Sequence, residues 1–206
     1  MTYDASFWDR RYGALDYCYG TEPNAFVAEC ATHLPPGPVL CLGEGEGRNA
    51  VFLARRGHAV TAVTAVDQSA VGLAKARQLA ARHGVVLTTH TADLGTFTIA
   101  PGAWAGIVAT FVHLPPALRA RVHRAAAAGL RPGGGFILEA YHPDQVHHRT
   151  GGPVDAPELL MTLEDLRADL AGLDLVVAQQ RETDLDEGSA HQGRSAVVQV
   201  FGRRPG

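Results

Sequence analysis

VLCLGEGEGRNAVFLA, Val39 to Ala54, sets a short apolar run against three glycines at alternate positions and then turns into a helical pattern. That is a strand, a tight turn and a helix start. Glycine at 43, 45 and 47 permits positive φ and removes the Cβ that would hold a ligand away, while the helix opening near Arg48 points unpaired backbone N–H groups into the turn. Such a turn is built to hold a nucleotide-like ligand. Its spacing separates it from dinucleotide folds, which use G-x-G-x-x-G to admit a pyrophosphate; this loop reads G-x-G-x-G and carries Glu44 and Glu46. Two carboxylates suit a cationic ligand better than a diphosphate.

Around this stretch the chain has 206 residues, 46% of them apolar, enough for one well-buried domain and short for two. The net charge of −3, with acids and bases scattered, provides no basic stripe for nucleic acid and no polybasic or amphipathic membrane face. Small-molecule partners are expected, on a monomer or homodimer. Cys18, Cys30 and Cys41 are odd in number, lack C-x-x-C spacing and read as reduced packing residues. The N-terminus is charged and aromatic where a signal peptide would be apolar, and no run approaches membrane-spanning length, so a cytoplasmic location is expected.

Upstream, residues 4 to 19 mix aromatics with Asp9, Arg10 and Arg11, an amphipathic helix that either packs on the core edge or covers the ligand. YGTEPN at 19–24 starts the next helix, with Thr21 or Glu22 as cap and Pro23 in its first turn. Downstream, HAVTAVTAVDQS is a β-branched strand closed by Asp67. An acid there accepts hydrogen bonds from both ribose hydroxyls in nucleoside-binding folds, about 20 residues after the glycine turn. Asp67 follows Gly43 by 24, and the tandem AVT at 59–61 and 62–64 accounts for the excess, so a lengthened strand or a bulge is expected just before Asp67. The plainer reading of Asp67 is a cap for the helix that starts at Ala70.

Strands and helices then alternate: a helix over Ser69–His83, strands in VVLTTH and Trp104–Phe111, a helix from Pro115 to Leu130, and the strand FILEAY. This order predicts a parallel sheet with helices on both faces. HPDQVHHRTGGP breaks the pattern as a long polar loop, followed by a helix near Ala156–Ala171 and two strands, Leu173–Thr183 and Ser195–Gly202, joined by a hairpin-type connection, LDEGSAHQG, that carries His191.

The glycine stretch, VDQSAVGLAKA, TADL, the strand before HLPP, and LRPGGGFILE, in this order, resemble the motifs of class I S-adenosylmethionine-dependent methyltransferases. WDRRY, YGTEPN, HLPP, TGGP and DEGSAHQG resemble the small bacterial branch similar to tellurite-resistance and thiopurine methyltransferases. The resemblance covers nearly the whole chain. It implies a single Rossmann-like domain over 1–206, a three-layer α/β/α sandwich with a seven-stranded mostly parallel sheet and an antiparallel last strand. Residues 1–34 would form a helical lid, 35–142 the cofactor-binding core, and 143–206 a substrate loop and C-terminal strands. It implies S-adenosyl-L-methionine as cofactor and S-adenosyl-L-homocysteine as product. Gly43, Glu44, Gly45 and Gly47 would line the methionine part, Asp67, Gln68 and Ser69 the ribose, and Asp93 and Leu94 the adenine. Arg48 either pairs with Glu44 or Glu46 on the surface or meets the cofactor's carboxylate.

Methyl transfer is an in-line displacement at carbon on a sulfonium, and it needs a base only when the nucleophile is protonated. A thiol needs little help. Groups placed to help lie at strand ends or on later loops. His113, directly after the fourth strand, is the first candidate, and His191, at the tip of a polar loop, the second; Tyr19, Tyr141 and His142 join His113 as substrate contacts. For each the plainer reading is a solvated loop residue. His147-His148 lack a third ligand, and no metal is expected. A nicotinamide-dependent oxidoreductase and a cofactor-binding module without catalysis are the competing functions.

Overall fold

The computed structural model describes residues 3–57, 63–148 and 150–206. Its centre is β1 (Val39–Leu42), four apolar residues buried on both faces, as strands flanked by helices on each side must be. Parallel neighbours lie on either side, β2 (Val63–Asp67) and β4 (Trp104–Thr110); β3 (Leu87–Thr91) adds beyond β2 and β5 (Leu130–Tyr141) beyond β4. The chain then returns as β6 (Asp174–Glu187) and β7 (His191–Arg203), and β7 runs antiparallel to both β5 and β6. The seven-stranded order is β3-β2-β1-β4-β5-β7-β6. It reverses direction of growth at β1, leaving a crevice at the carboxyl ends of β1 and β4.

The period-2 alternation of the strands separates two cores. Val39, Cys41, Val63 and Ala65 face α2 (Ala25–Cys30), α3 (Arg48–Arg55) and α4 (Ala70–Arg82), packing on Phe26, Leu53 and Leu73. Leu40, Leu42, Val66 and Ile107 face α5 (Pro116–Gly129) and α6 (Leu163–Asp169), packing with Val122 and Leu166. The expected three-layer Rossmann-like sandwich is therefore present, its last strand antiparallel. Over the crevice lies α1 (Ala5–Tyr12), capped by Asp4 and seated on the start of α4, where Asp9 accepts from the Ser69 hydroxyl at 2.5 Å.

Several sequence-derived boundaries shift for local reasons. The cap of α2 is Asn24, not Thr21 or Glu22: its side-chain oxygen accepts from the Val27 N–H at 3.0 Å, and Pro23 precedes the helix. The helix expected over Ala156–Ala171 is split into a 3-10 turn, Pro157–Leu159, and α6, because Thr162 and Asp165 form a capping box that restarts the helix. LDEGSAHQG is a hairpin connection, as expected, but the strands run further into it. Cross-strand pairing continues through Leu185↔Gly193 to Glu187↔His191, leaving only residues 188–190 as the turn. Nor does a bulge precede Asp67: β2 pairs residue for residue with β1 and β3 from Val63 onward, and Thr64 is buried in mid-strand. Residues 58–62, where most of the AVT tandem falls, lie outside the described residues.

The turn from β1 into α3 decides where α4 sits. Gly47 has φ +93°, and a Cβ there would stand 2.5 Å from the Ala76 Cβ of α4. Gly47→Ala is expected to cost roughly 2–5 kcal/mol, combining left-handed strain with overpacking. Urea unfolding of the variant checks this; a loss below about 0.5 kcal/mol, within the range of an ordinary surface substitution, would contradict the packing.

Candidate active site

The carboxyl ends of β1, β2, β4 and β5 open into a cavity of about 920 Å³, roofed by α1 and Tyr19. That is the upper end of the range for one small-molecule site, so it has room for a cofactor and a small acceptor together. Of the residues singled out in the sequence, Gly43, Glu44, Arg48, Asp67, Gln68, Asp93, Leu94, Tyr19, His113, Tyr141 and His191 line it; Gly45, Gly47, Ser69 and His142 do not.

At the β1–β2 end the protein occupies part of what the sequence assigned to a ligand. A Cβ on Gly45 would meet the Tyr12 hydroxyl at 2.6 Å, so this glycine, like Gly47, makes room for protein. Ser69 is fully buried and caps α4 through Gly72 N–H at 3.0 Å. Asp67 closes β2 and accepts at 2.8 Å from both Gly45 N–H and Ser69 N–H. Burial raises its carboxyl pKa, and those two N–H groups oppose the rise. Gln68 donates to the Tyr3 carbonyl at 2.9 Å. Asp93 is exposed at the rim, its Oδ1 taking the Gly95 N–H at 2.7 Å, and Leu94 is half-buried beside it.

The two loop carboxylates are not free for a cation. Glu44 Oε1 accepts the Ala50 N–H at 2.7 Å inside the first turn of α3, and burial pushes its pKa up to about 7. Glu46 accepts the Cys18 N–H at 2.7 Å and pairs with Lys75, whose ammonium also donates to the carbonyls of Ala14 and Asp16 at 3.0 and 2.7 Å. This pair fastens the N-terminal segment to α4. Arg48 is neither exposed nor paired with these glutamates. It is 7% exposed, and its Nη2 meets Glu187 Oε2 at 2.7 Å, while Nη1 is buried with no partner among the described residues.

At the β4–β5 end, aromatic and imidazole rings gather. His113 Nδ1 lies 3.0 Å from the Leu159 carbonyl, which only accepts, so Nδ1 carries the proton and the buried, unpartnered Nε2 is a bare lone pair. Burial holds its pKa down at about 4. The ring stacks on Tyr141 at 5.7 Å, and the Tyr141 hydroxyl is buried with no partner among the described residues, its pKa raised by burial. His191 is not on a loop tip: it opens β7, 6% exposed, with Nδ1 3.2 Å from Glu187 and its ring 4.5 Å from Tyr19 and 4.4 Å from Phe111. Its pKa is lowered by burial, against the pull of Glu187. His142 turns away to cap a 3-10 turn, its Nδ1 taking the Asp144 N–H at 3.2 Å. His148 meets Glu182 at 3.3 Å, away from the cavity.

Sequence reasoning missed Phe111, Asn24, Glu139 and Glu187. Phe111 is the one non-glycine residue among those described with positive φ, +55°, a strain of about 1–3 kcal/mol. Its N–H on the Glu139 carbonyl at 2.7 Å and its ring 4.8 Å from Tyr141 hold it there. Gly151 and Gly152 were legible as TGGP, but not their reason: a Cβ on either would meet the Tyr141 ring or hydroxyl within 2.6 Å.

Residues 39–134 match the family described as "Methyltransferase domain". Among solved structures, the chain is similar to one described as "Conversion of a Disulfide Bond into a Thioacetal Group during Echinomycin Biosynthesis", at 19% identity, covering 98% of this chain and 90% of that one, with a TM-score of 0.76. It is also similar to TehB from Haemophilus influenzae (16% identity, 97% and 66% covered, TM-score 0.70) and to a putative sarcosine dimethylglycine methyltransferase from Galdieria sulphuraria (15%, 98% and 98%, 0.67). No curated protein matches. The fold is that of class I methyltransferases. Residues 39–134 carry the methyltransferase-domain pattern, and the whole chain shares the fold of these solved structures. Among the described residues no helix is long and apolar enough to cross a membrane.

Glu44 gives a pH signature. Its folded-state pKa lies above the ordinary 4.5, so its contribution is fully present below 4.5 and is lost as pH rises through about 7. Glu44→Gln keeps the carbonyl that accepts from Ala50 and removes the titration. Relative to wild type it is expected to gain stability between pH 5 and 8, by up to about 3 kcal/mol. Thermal melts of both proteins across that range check it; parallel curves would contradict it.

Proposed function

We propose that the chain transfers a methyl group to a small uncharged nucleophile that carries its own hydrogen, a thiol or another soft chalcogen, bound at the His113–Tyr141–His191 end of the cavity. His113 supports this most directly. Its Nε2 accepts a hydrogen bond and gives none, and His191, with Nδ1 turned to a carboxylate, presents the same kind of nitrogen. An X–H group fits two such acceptors, whereas an oxyanion would meet lone pairs. The oxyanion form of the chalcogen reading is disfavoured on that ground.

The cofactor reading keeps Gly43, Glu44, Asp67, Gln68, Asp93 and Leu94 on its side of the cavity, with Gly45, Gly47 and Ser69 supporting them from behind. Asp67 has carboxylate lone pairs beyond those its two N–H partners use, and Arg48 Nη1 offers an unused donor, so ribose hydroxyls and a carboxylate fit these residues. When bound, the cofactor supplies a methyl group on a sulfonium. The chain's part is to orient the acceptor, exclude water under α1 and Tyr19, and receive the acceptor's proton on His113 Nε2 as X gains the methyl group. We take residues 1–34 as the lid, and the free cysteines, two of them buried, accord with a reducing, cytoplasmic setting.

Calorimetry is expected to show binding of S-adenosylhomocysteine and not of NAD; the reverse would overturn the assignment. An acceptor screen over thiols, phenols, amines and tellurite is expected to give turnover with thiols, and binding without turnover on any acceptor would favour a regulatory module. His113→Asn is expected to lower kcat roughly 10²–10⁴-fold with S-adenosylhomocysteine affinity unchanged. Because His113 titrates near pH 4, it should add no acid limb to kcat/KM for a thiol between about pH 5 and 8. An acid limb near 6.5 would show an ordinary, solvated imidazole.

A further inference from the structure

Glu187 closes β6 at the hairpin turn, and three donors from distant parts of the chain converge on it. Its Oε2 accepts from Arg48 Nη2 at 2.7 Å and from His191 Nδ1 at 3.2 Å; its Oε1 accepts from Asn24 Nδ2 at 2.8 Å. Arg48 opens α3 below the glycine turn, His191 opens β7 against the aromatic cluster, and Asn24 caps α2. The same Asn24 amide reaches Glu139 in β5, whose other oxygen takes Gln199 at 2.7 Å. Asn24 N–H donates to Asn49, which in turn donates to the Thr110 hydroxyl at the end of β4.

We infer that Glu187 is a positioning residue for both halves of the cavity, fixing His191 with its proton on Nδ1 and its Nε2 bare, and holding Arg48 so that Nη1 stays available. The catalytic consequence rests on the methyl-transfer reading above; the tautomer and the Arg48 orientation do not.

The charge arrangement is specific. An ionised carboxylate beside an imidazole ordinarily favours the imidazolium, which would turn Nε2 into a donor. Here Arg48 neutralises the same oxygen. Burial acts to raise the Glu187 pKa, but His191 and Arg48 overcome it and hold it at about 2, so the carboxylate stays charged. Of the charged groups facing His191, Glu187 raises its pKa, while burial, Arg48 and Arg11 lower it. The hydrogen bond thus sets the tautomer without charging the ring. An apolar neighbour could not orient it, and a glutamate without the arginine would protonate it.

The experiment is long-range proton–nitrogen NMR of histidine-labelled full-length protein, with and without S-adenosylhomocysteine. Wild type should show His191 neutral with its proton on Nδ1 at pH 7. Glu187→Gln must turn its NH2 either toward Asn24 or toward both Arg48 and His191. It is expected to shift His191 toward the Nε2–H tautomer, to lower kcat/KM at least about tenfold, and to weaken S-adenosylhomocysteine binding. Arg48→Gln leaves Glu187 unneutralised and should raise the His191 pKa, seen in the same spectra and as a new acid limb in the rate profile. Should Glu187→Gln not fold, the Arg48→Gln titration decides alone. A wild-type His191 carrying its proton on Nε2, or a His191 pKa unmoved in Arg48→Gln, would overturn the inference. If both NMR results hold while no acceptor turns over, the functional reading fails and the positioning role stands.

Discussion

The chain leaves β1 at Leu42 and begins α3 at Arg48, and within that short turn three residues must take positive φ. Any side chain there would collide with protein: with Val112 at Gly43, with Tyr12 at Gly45, with Ala76 at Gly47. The turn therefore does more than clear space for a ligand. It lets α4 and α1 close on the first strand, and it brings the Gly45 N–H onto Asp67. Without that approach Asp67 would keep only the Ser69 N–H of its two backbone donors.

The second organising feature is a set of buried charges that compensate one another. Arg48 and Glu187 are each about nine-tenths buried and come from opposite parts of the chain. Burying either alone is expensive; burying them together is tolerable only when the remaining donors and acceptors are met, as Asn24 and His191 do for Glu187. The Arg48 Nη1 and His113 Nε2 atoms left unmet both belong to residues of the cavity wall. Unpaired buried polar atoms in a folded protein call for an explanation, and a ligand that supplies a carboxylate and an X–H group is one.

The roof is attached by similar means. Lys75 on α4 gathers carbonyls of the N-terminal segment and pairs with Glu46, and the hairpin turn after Glu187 bonds to the same segment through Ala190 N–H on Cys18 O. The start of α3, the hairpin and the roof thus share a few buried ionic groups.

Much of the fold was legible because it rests on local rules. Alternating apolar runs, alternate glycines, Asp67 at a strand end and LRPGG gave the layer order, the parallel sheet and the crevice at the carboxyl end of β1. His113 and Tyr141 could be named because one lies just past β4 and the other ends β5, both at the crevice. What the letters could not give was pairing at long range. Glu44 and Glu46 read as a cationic ligand site, yet a helix start and Lys75 had claimed them; Arg48 read as a surface residue or a ligand contact, yet its partner lies 139 positions away. His142 and His191 looked alike as loop histidines, and only cross-strand register turned one away from the cavity and brought the other in. The sequence by itself determined the periodicities and the turn that needs no Cβ, because those depend on neighbours along the chain. The tertiary structure decided which charges are buried together and which imidazole nitrogens stay bare, because these depend on what the packed sheet brings within hydrogen-bond distance.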